Sequence, residues 1–300
     1  MGFEEFKEKI VEGLQEIYGD SAEIVTGIAL KNNGSKYHGI SIFLKGSGNK
    51  TCPVIDLDRF YRLFENGTLN IGDCVREIYN SRKALNSPEG AEQFAKNISE
   101  WEYVKDDIYP ILLSTEENSK LLERIVYTPI LDLAVAYIIR GEISGETVSV
   151  KITKELMMSY EITPGQLHRQ AMVNMEKDGY EFIELESLIR SMDPKRVRFE
   201  ERDEEDKPEM YVLTNSAKSY GAAVILNKKL IREFAGDRDF FILPSSIHDM
   251  IFVPVDNDKD QGFYDEMVTE VNKAQVSVEE KLTDHSYYYD AANSEIRMCA

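Results

Sequence analysis

The sequence has little cysteine, little histidine and no long apolar run. Its 300 residues include four histidines and three cysteines, Cys52, Cys74 and Cys299. An odd cysteine count without CxxC spacing argues against a disulfide framework or a zinc knuckle and indicates reduced thiols. No apolar run approaches the ~20 residues that span a bilayer, and the acidic start MGFEEFK lacks the basic region of a signal peptide. We therefore predict a cytoplasmic protein that has no membrane partner.

Basic residues are also scarce relative to acidic ones. The chain has 35 Lys and Arg against 54 Asp and Glu, a formal net charge of -19. Such a charge repels phosphate backbones, so we expect no nucleic-acid binding over a broad face. It leaves open an acidic protein that mimics nucleic acid in the groove of another protein. A hydrophobic content of 42% is enough for a sizeable core.

The N-terminal part predicts a helix, a hairpin and a second helix. Apolar residues recur every three to four positions from Phe3 to Tyr18, which is typical of an amphipathic helix. Two β-rich runs flank Asn32-Asn33-Gly34, a turn signal. A short strand is expected at 53–57, and a helix that begins near Asp56 and closes at Gly67 follows.

The rest of the chain predicts a hairpin, then helices and strands in alternation. Two β-branched runs after Tyr127 are joined by a Gly-rich turn, and Thr163 with Pro164 marks a helix start. The acidic run 200–206 cannot be buried and indicates a linker. Downstream we predict strands at 210–214, 221–226, 240–243 and 250–255, helices at 227–235 and 261–281, and an edge strand with one wet face at the tyrosine run 287–289.

These elements predict an α+β fold with mixed or antiparallel sheets and packed helices, in two or three subdomains. The expected parts are 1–110, 111–199, an acidic linker at 200–209, and 210–300. The segments VSVKITKELMMSYEITPGQL and GAAVILNKKLIREFAGDRDF both place a strand before a Lys-containing helix start. A degenerate ββα duplication is one interpretation, and chance similarity of alternating aliphatic residues is the other.

The insert in FFILPSSIHDMIFVPV contains the reactive residue types of a catalytic triad, Ser246, His248 and Asp249. Neighbours on one extended strand point to alternate faces, so at most Ser246 and His248 could act together. The insert also lacks the glycines of a GxSxG elbow. We therefore interpret it as a bend between strands whose polar atoms bind nearby main chain.

A second polar cluster, Asp284 and His285, precedes the tyrosine run. With His248 and Asp249 it supplies two histidines and two carboxylates, which would suit a metal ion if the segments adjoin. No HExxH or HxH spacing places two ligands on one element, and capping Asp with partly buried His is the alternative. No cofactor is predicted.

The segments LDLAVAYIIR, MYVLTN, GAAVIL, FFILPSSIHDMIFVPV and EVNKAQVSVEEKLTDHSYYYD resemble a family of uncharacterised bacterial proteins of gut Firmicutes, of the Lachnospiraceae type. The resemblance spans nearly the whole chain. A more distant similarity is to an uncharacterised Bacillus-type family, in which the insert is shorter and lacks the histidine. Both resemblances imply the α+β order, and neither implies an activity or a catalytic residue.

Three functions are consistent with these patterns. The first is a non-enzymatic protein-interaction or regulatory module whose partner is another protein, because no intact catalytic motif is present. The alternative is a hydrolase or metal-dependent enzyme centred on His248 and Asp249 with Asp284 and His285. The third is the acidic nucleic-acid mimic.

Overall fold

A computed structural model describes residues 1–45, 54–85, 98–143, 146–192, 209–255 and 260–298. Contacts divide the chain into two units, Met1–Val104 with Arg140–Ser149, and Lys105–Ile139 with Val150–Ala300. Helices and antiparallel sheets make up the described residues, which confirms the predicted α+β class. Within those ranges no helix has the length and apolarity to cross a bilayer. Positions 200–208 of the predicted linker, Cys52 and Cys299 lie outside the described residues.

The first unit contains helices and a three-stranded antiparallel sheet. Its helices are α1 (Phe3–Tyr18), α2 (Leu57–Glu65), α3 (Ile71–Leu85) and the short α4 (Trp101–Val104). Its strands are β1 (Ala22–Leu30), β2 (Lys36–Leu44) and β3 (Ile55–Asp56), in the order β1-β2-β3.

The apolar stripe of α1 forms one side of the core of this unit. Phe6, Ile10 and Leu14 recur at helical spacing, so they lie on one face of α1. All three are fully buried in one cluster with Ile40 and Ile42 of β2. The helix ends at Tyr18, as the sequence predicts.

The turn and cap signals of this unit also form as predicted. Asn33 and Gly34 adopt positive φ angles between β1 and β2, which an Asn-Gly pair does at low steric cost. The Asp56 carboxylate accepts hydrogen bonds from the amides of Asp58 and Arg59 and thereby caps α2.

From Lys105 onward the chain forms two further sheets. The four-stranded sheet has the order β4-β6-β5 with β7 also paired to β6, and the six-stranded sheet has the order β13-β12-β10-β11-β9-β8. The elements are β4 (Ile108–Ser114), α5 (Ser119–Leu122), β5 (Tyr127–Ile130), β6 (Leu133–Ile143), β7 (Glu146–Lys151), α6 (Lys154–Ser159), α7 (Pro164–Asp178), β8 (Tyr180–Glu184), α8 (Leu185–Met192), β9 (Tyr211–Asn215), α9 (Lys228–Ala235), β10 (Phe240–Pro244), β11 (Met250–Pro254), α10 (Gln261–Ala274), β12 (Tyr287–Asp290) and β13 (Glu295–Met298).

The six-stranded sheet is covered on both faces. On one face Phe241 and Val253 pack against Tyr264 of α10. On the other face Phe240 and Phe252 contact the ring of Phe234 from α9. Successive residues of β10 and β11 therefore enter different cores, which explains why both strands read as continuous apolar runs.

Residues Gly221–Leu226, predicted as a strand, form a 3-10 helix instead. A Cβ on Gly221 would lie 2.3 Å from Thr214 Oγ1 and 2.5 Å from the His248 carbonyl oxygen, so the bare backbone packs directly onto β9 and the neighbouring loop. This close packing leaves no place for a strand with side chains on two faces. The two segments of the predicted duplication therefore differ in their strand.

The tyrosine run, predicted as an edge strand, lies inside the sheet. β12 pairs with β10 on one side and β13 on the other. Tyr287 and Tyr289 are buried, and Tyr288 faces the opposite side. The sequence pattern missed this because the strand is closed by β13, which lies only a few residues further along the chain.

The strands β8 and β9 pair with each other across the segment 193–208, from Tyr180 opposite Asn215 to Glu184 opposite Tyr211. Residues before and after the acidic run therefore contribute to one sheet. The predicted subdomain limits at 110 and 200 stay predictions.

Candidate functional site

The insert that raised the question of catalysis is the loop of a β-hairpin. The strands β10 and β11 pair antiparallel, with Pro244 opposite Met250. Residues 245–249 connect them, and the Ser246 amide donates a hydrogen bond of 3.3 Å to the Asp249 carbonyl. The two apolar runs are thus adjacent buried strands, and the polar residues sit at their turn.

The serine hydroxyls of the loop bind within the loop itself. Ser246 Oγ accepts a hydrogen bond of 2.9 Å from the His248 amide. Burial raises the pKa of Asp249, and hydrogen bonds from the Ser245 and Ser246 hydroxyls and the nearby His248 oppose that rise. Ser246 therefore contacts the main chain of His248 and the side chain of Asp249. No contact joins its hydroxyl to the imidazole among the described residues.

The His248 imidazole is held from two other parts of the chain. Its Nδ1 accepts a hydrogen bond of 3.1 Å from the Tyr220 amide. Its Nε2 lies 3.4 Å from a carboxylate oxygen of Glu280. Because Nδ1 acts as an acceptor, the neutral ring carries its proton on Nε2, toward Glu280. The side chain is about one-third exposed, at 32%.

The main chain of the loop is bound on both sides. The Thr214 hydroxyl donates to the His248 carbonyl at 2.9 Å. The Ile247 amide donates to the Glu280 carbonyl at 2.8 Å, and the Ile247 carbonyl accepts from the Ala222 amide. These bonds fix the bend against three different segments, so its geometry does not depend on the loop alone.

His285 belongs to a different cluster, built on Asp132. Its Nε2 lies 2.8 Å from Asp132 Oδ2, and Tyr287 donates its hydroxyl to Asp132 Oδ1 at 2.6 Å. The Nδ1 of His285 contacts the Ser286 carbonyl at 3.1 Å. Asp132 stands in the turn between β5 and β6, so this carboxylate links two sheets.

The electrostatics of this cluster follow from the shared carboxylate. Burial disfavours the imidazolium of His285, but the hydrogen bonds to Ser286 and Asp132 and the charges of Asp132 and Asp265 outweigh burial and raise the pKa of His285. Burial, with the bond to Asp132, also raises the pKa of Tyr287 well above its ordinary range. The cluster thus favours a charged imidazole and a neutral phenol around one carboxylate.

Asp284 faces away from this cluster, toward α10. Its carboxylate accepts a hydrogen bond of 2.8 Å from Asn272 Nδ2 and pairs with Lys281. Burial opposes ionisation of Asp284, but the bonds from Asn272 and Lys281 prevail and lower its pKa. Asp284 therefore acts as an anchor between α10 and the approach to β12.

The structure gives separate partners to the four residues of the predicted enzyme site. His248 contacts Tyr220 and Glu280, and His285 contacts Asp132. Within the described ranges, no three or more His, Cys, Asp or Glu side chains form a group that could hold a metal ion. Sequence reasoning missed Asp132, which is 153 residues from His285, because no local pattern marks a contact over that distance.

A different feature, the outer edge of β1, is the most open surface of the first unit. Along one edge β1 pairs with β2 over nine residues, from Ala22 to Leu30. In the part of the chain that the structure describes, no strand pairs with the other edge. The Lys31 amide bonds to the Ser35 carbonyl and the Lys45 amide to the Ser21 carbonyl. Since pairing alternates along an antiparallel ladder, the odd-numbered residues of β1 bond to β2 and the even-numbered ones direct their amides and carbonyls outward.

The side chains along β1 are apolar and exposed. Val25 is 43% exposed, Ile28 65% and Leu30 46%. Glu23 is the single charged residue of the strand AEIVTGIAL. Proteins usually protect an edge of this length with lysine, proline or a bulge, none of which occurs in this strand.

Comparison with known proteins gives one match. Residues 3–291 match the model of a family described as "Family of unknown function (DUF5688)". No curated protein and no solved structure matches the chain. The site geometry is therefore the basis for any functional conclusion.

Proposed function

The chain belongs to the DUF5688 family, whose function is unknown, and we propose that it is a non-enzymatic interaction module which binds an extended segment of another protein along β1. The observation that carries this proposal is the unpaired outer edge of β1 in the described residues. A segment that adds as a fourth strand would bind the outward amides and carbonyls of the strand.

The main chain of β1 supplies the affinity in this proposal. Ile24, Thr26, Ile28 and Leu30 direct their amides and carbonyls outward, as the register above requires. An incoming strand would form hydrogen bonds with these groups in place of water. Each such bond contributes about 1 kcal/mol net, so affinity requires side-chain burial as well.

The exposed side chains supply that burial and the selectivity. Ile28 and Leu30 lie on one face of β1, and Val25 lies on the other. A partner segment with apolar residues at alternate positions would cover them. Because the chain carries a net charge of -19, basic residues beside that segment would speed the encounter.

The experiment places a photo-crosslinking residue at position 26 or, as a control, at position 189. Thr26 lies on the edge of β1, whereas Ile189 is an exposed apolar residue of α8, 43% exposed. We expect an adduct at 26 that is absent at 189. Hydrogen exchange of the purified adduct partner with the wild-type chain should then slow the amides of 24, 26, 28 and 30.

The matched variants are Ile28→Lys and Ile189→Lys. An inserted lysine on an edge strand blocks strand addition, so Ile28→Lys should lose the complex and Ile189→Lys should keep it. Equal crosslinking at 26 and 189, or exchange protection away from β1, would contradict the proposal. Self-association through β1 would identify a second copy as the partner and would exclude a different protein.

Several finer statements remain part of the proposal. Cytoplasmic location rests on composition, and an origin in gut Firmicutes rests on resemblance. A regulatory role rests on the lack of a catalytic motif. The alternatives, an enzyme at His248, Asp249, Asp284 and His285 or an acidic nucleic-acid mimic, gain no support from the separate partners of those residues.

A further inference from the structure

A cleft of about 270 Å³ lies beside β12 and is independent of the β1 edge. Its walls are mainly aliphatic, with Ile130 at the end of β5, Ile225 in the 3-10 helix, Ile231 on α9 and Ile296 on β13. Tyr289 of β12 forms part of the wall. At about 30 Å³ for each water-sized unit, the cleft would hold a ligand of about ten non-hydrogen atoms.

The hydroxyl of Tyr289 has no hydrogen-bond partner among the described residues. The residue is 2% exposed, so its hydroxyl is also shielded from bulk water. Its two neighbours differ, because Tyr287 donates to Asp132 and Tyr288 donates to Asp239, each at 2.6 Å. A buried phenol without a partner costs about 1–3 kcal/mol. A ligand that bonds to it would recover that cost.

The charges at the mouth limit what such a ligand can be. Lys228 and Glu295 are the two charged residues among those that line the cleft, and both are exposed. One cation and one anion give no net preference for a charged molecule. Burying an ionised group against aliphatic walls would be costly, and the phenol offers one hydrogen bond in compensation.

We propose that this cleft binds a small, neutral, mainly hydrocarbon molecule whose single oxygen bonds to the Tyr289 hydroxyl. A phenol hydroxyl both donates and accepts, so an alcohol, a phenol or a ketone satisfies it. The apolar body of the ligand packs against the isoleucines. The size of the cleft excludes nucleotides and peptides.

The experiment uses three probes of similar shape, phenol, toluene and benzoate. The four cleft isoleucines provide methyl signals that report binding directly in NMR titrations of the full chain. We expect saturable shifts of these methyls with phenol. Toluene, which lacks the oxygen, and benzoate, which is charged, should bind about tenfold more weakly or not at all.

Two phenylalanine variants separate the hydroxyl from the ring. Tyr289→Phe should weaken phenol binding about tenfold and leave toluene binding unchanged, since only the hydrogen bond is removed. Tyr288→Phe, on the opposite face of β12, should leave both affinities unchanged. Ile296→Trp should fill the cleft and abolish binding of both probes, and its position on the edge strand β13 favours an intact fold.

The proposal fails if phenol gives no saturable methyl shifts, or if toluene binds as tightly as phenol to the wild-type chain. It also fails if Tyr289→Phe leaves the affinity for phenol unchanged. Failure here would not affect strand addition at β1, which lies in the other unit.

Discussion

His285 and Asp132 are joined by a contact of 2.8 Å between Nε2 and a carboxylate oxygen, although 153 residues separate them in the sequence. Tyr287 occupies the second oxygen of the same carboxylate. One acidic side chain in a turn thus positions two residues around the start of β12.

This pairing predicts a pH dependence of stability. The folded state raises the pKa of His285 above its ordinary 6.5, because the bonds to Ser286 and Asp132 outweigh burial. The contribution of His285 to stability is therefore complete below pH 6.5 and is lost as the pH rises through the raised value. NMR titration of the imidazole and urea unfolding at several pH values measure both effects.

The matched variants for this prediction are Asp132→Asn and His285→Gln. Asp132→Asn should lower the pKa of His285, and His285→Gln should remove its part of the stability change above pH 6.5. A His285 pKa below 6.5 in the wild-type chain would contradict the prediction.

Tyr287→Phe should destabilise the protein by about 1–2 kcal/mol. The change removes a hydrogen bond to a carboxylate that is 32% exposed, so water compensates part of the loss. Tyr289→Phe removes a hydroxyl without a described partner and should be neutral or stabilising. Urea unfolding of the two variants compares them, and equal losses would show that the tyrosine hydroxyls of β12 are equivalent.

Ser246→Ala should destabilise the protein by about 1 kcal/mol. The hydroxyl accepts from the His248 amide and bonds to Asp249, so its loss opens the bend. It should also raise the pKa of Asp249 further, because one of the bonds that oppose burial disappears. A stability unchanged by this substitution would show that the bend does not need the serine.

Gly221→Ala should be strongly destabilising, by more than about 2 kcal/mol. Its Cβ would lie 2.5 Å from the His248 carbonyl oxygen and 2.6 Å from the Asn215 amide, and backbone atoms cannot move aside cheaply. Gly262→Ala is the control, because the nearest contact there is 3.4 Å in the first turn of α10. A thermal melt of each variant tests the difference.

The sequence predicted those elements whose signals are local. The stripe of α1, the Asn33-Gly34 turn and the Thr163 capping box with Pro164 each depend on residues a few positions apart, and the structure contains all three. Such patterns are set by backbone geometry within one or two turns.

The elements that the sequence did not predict depend on distant packing. Gly221–Leu226 has an aliphatic run like a strand, yet its glycine packs against β9 and the 245–249 loop. The Asp132 contact with His285 required two sheets to be placed first. Bond partners of this kind have no period or motif in the chain.

The interior place of β12 has a consequence for synthesis on the ribosome. Until residues 287–290 emerge, β10 has no neighbour on one side, and its Phe240 and Ile242 lack the strand that pairs with them. The six-stranded sheet therefore cannot close while the chain has been translated only to residue 284. We expect nascent chains of that length to depend on chaperones, and chains extended past β12 to be released from them.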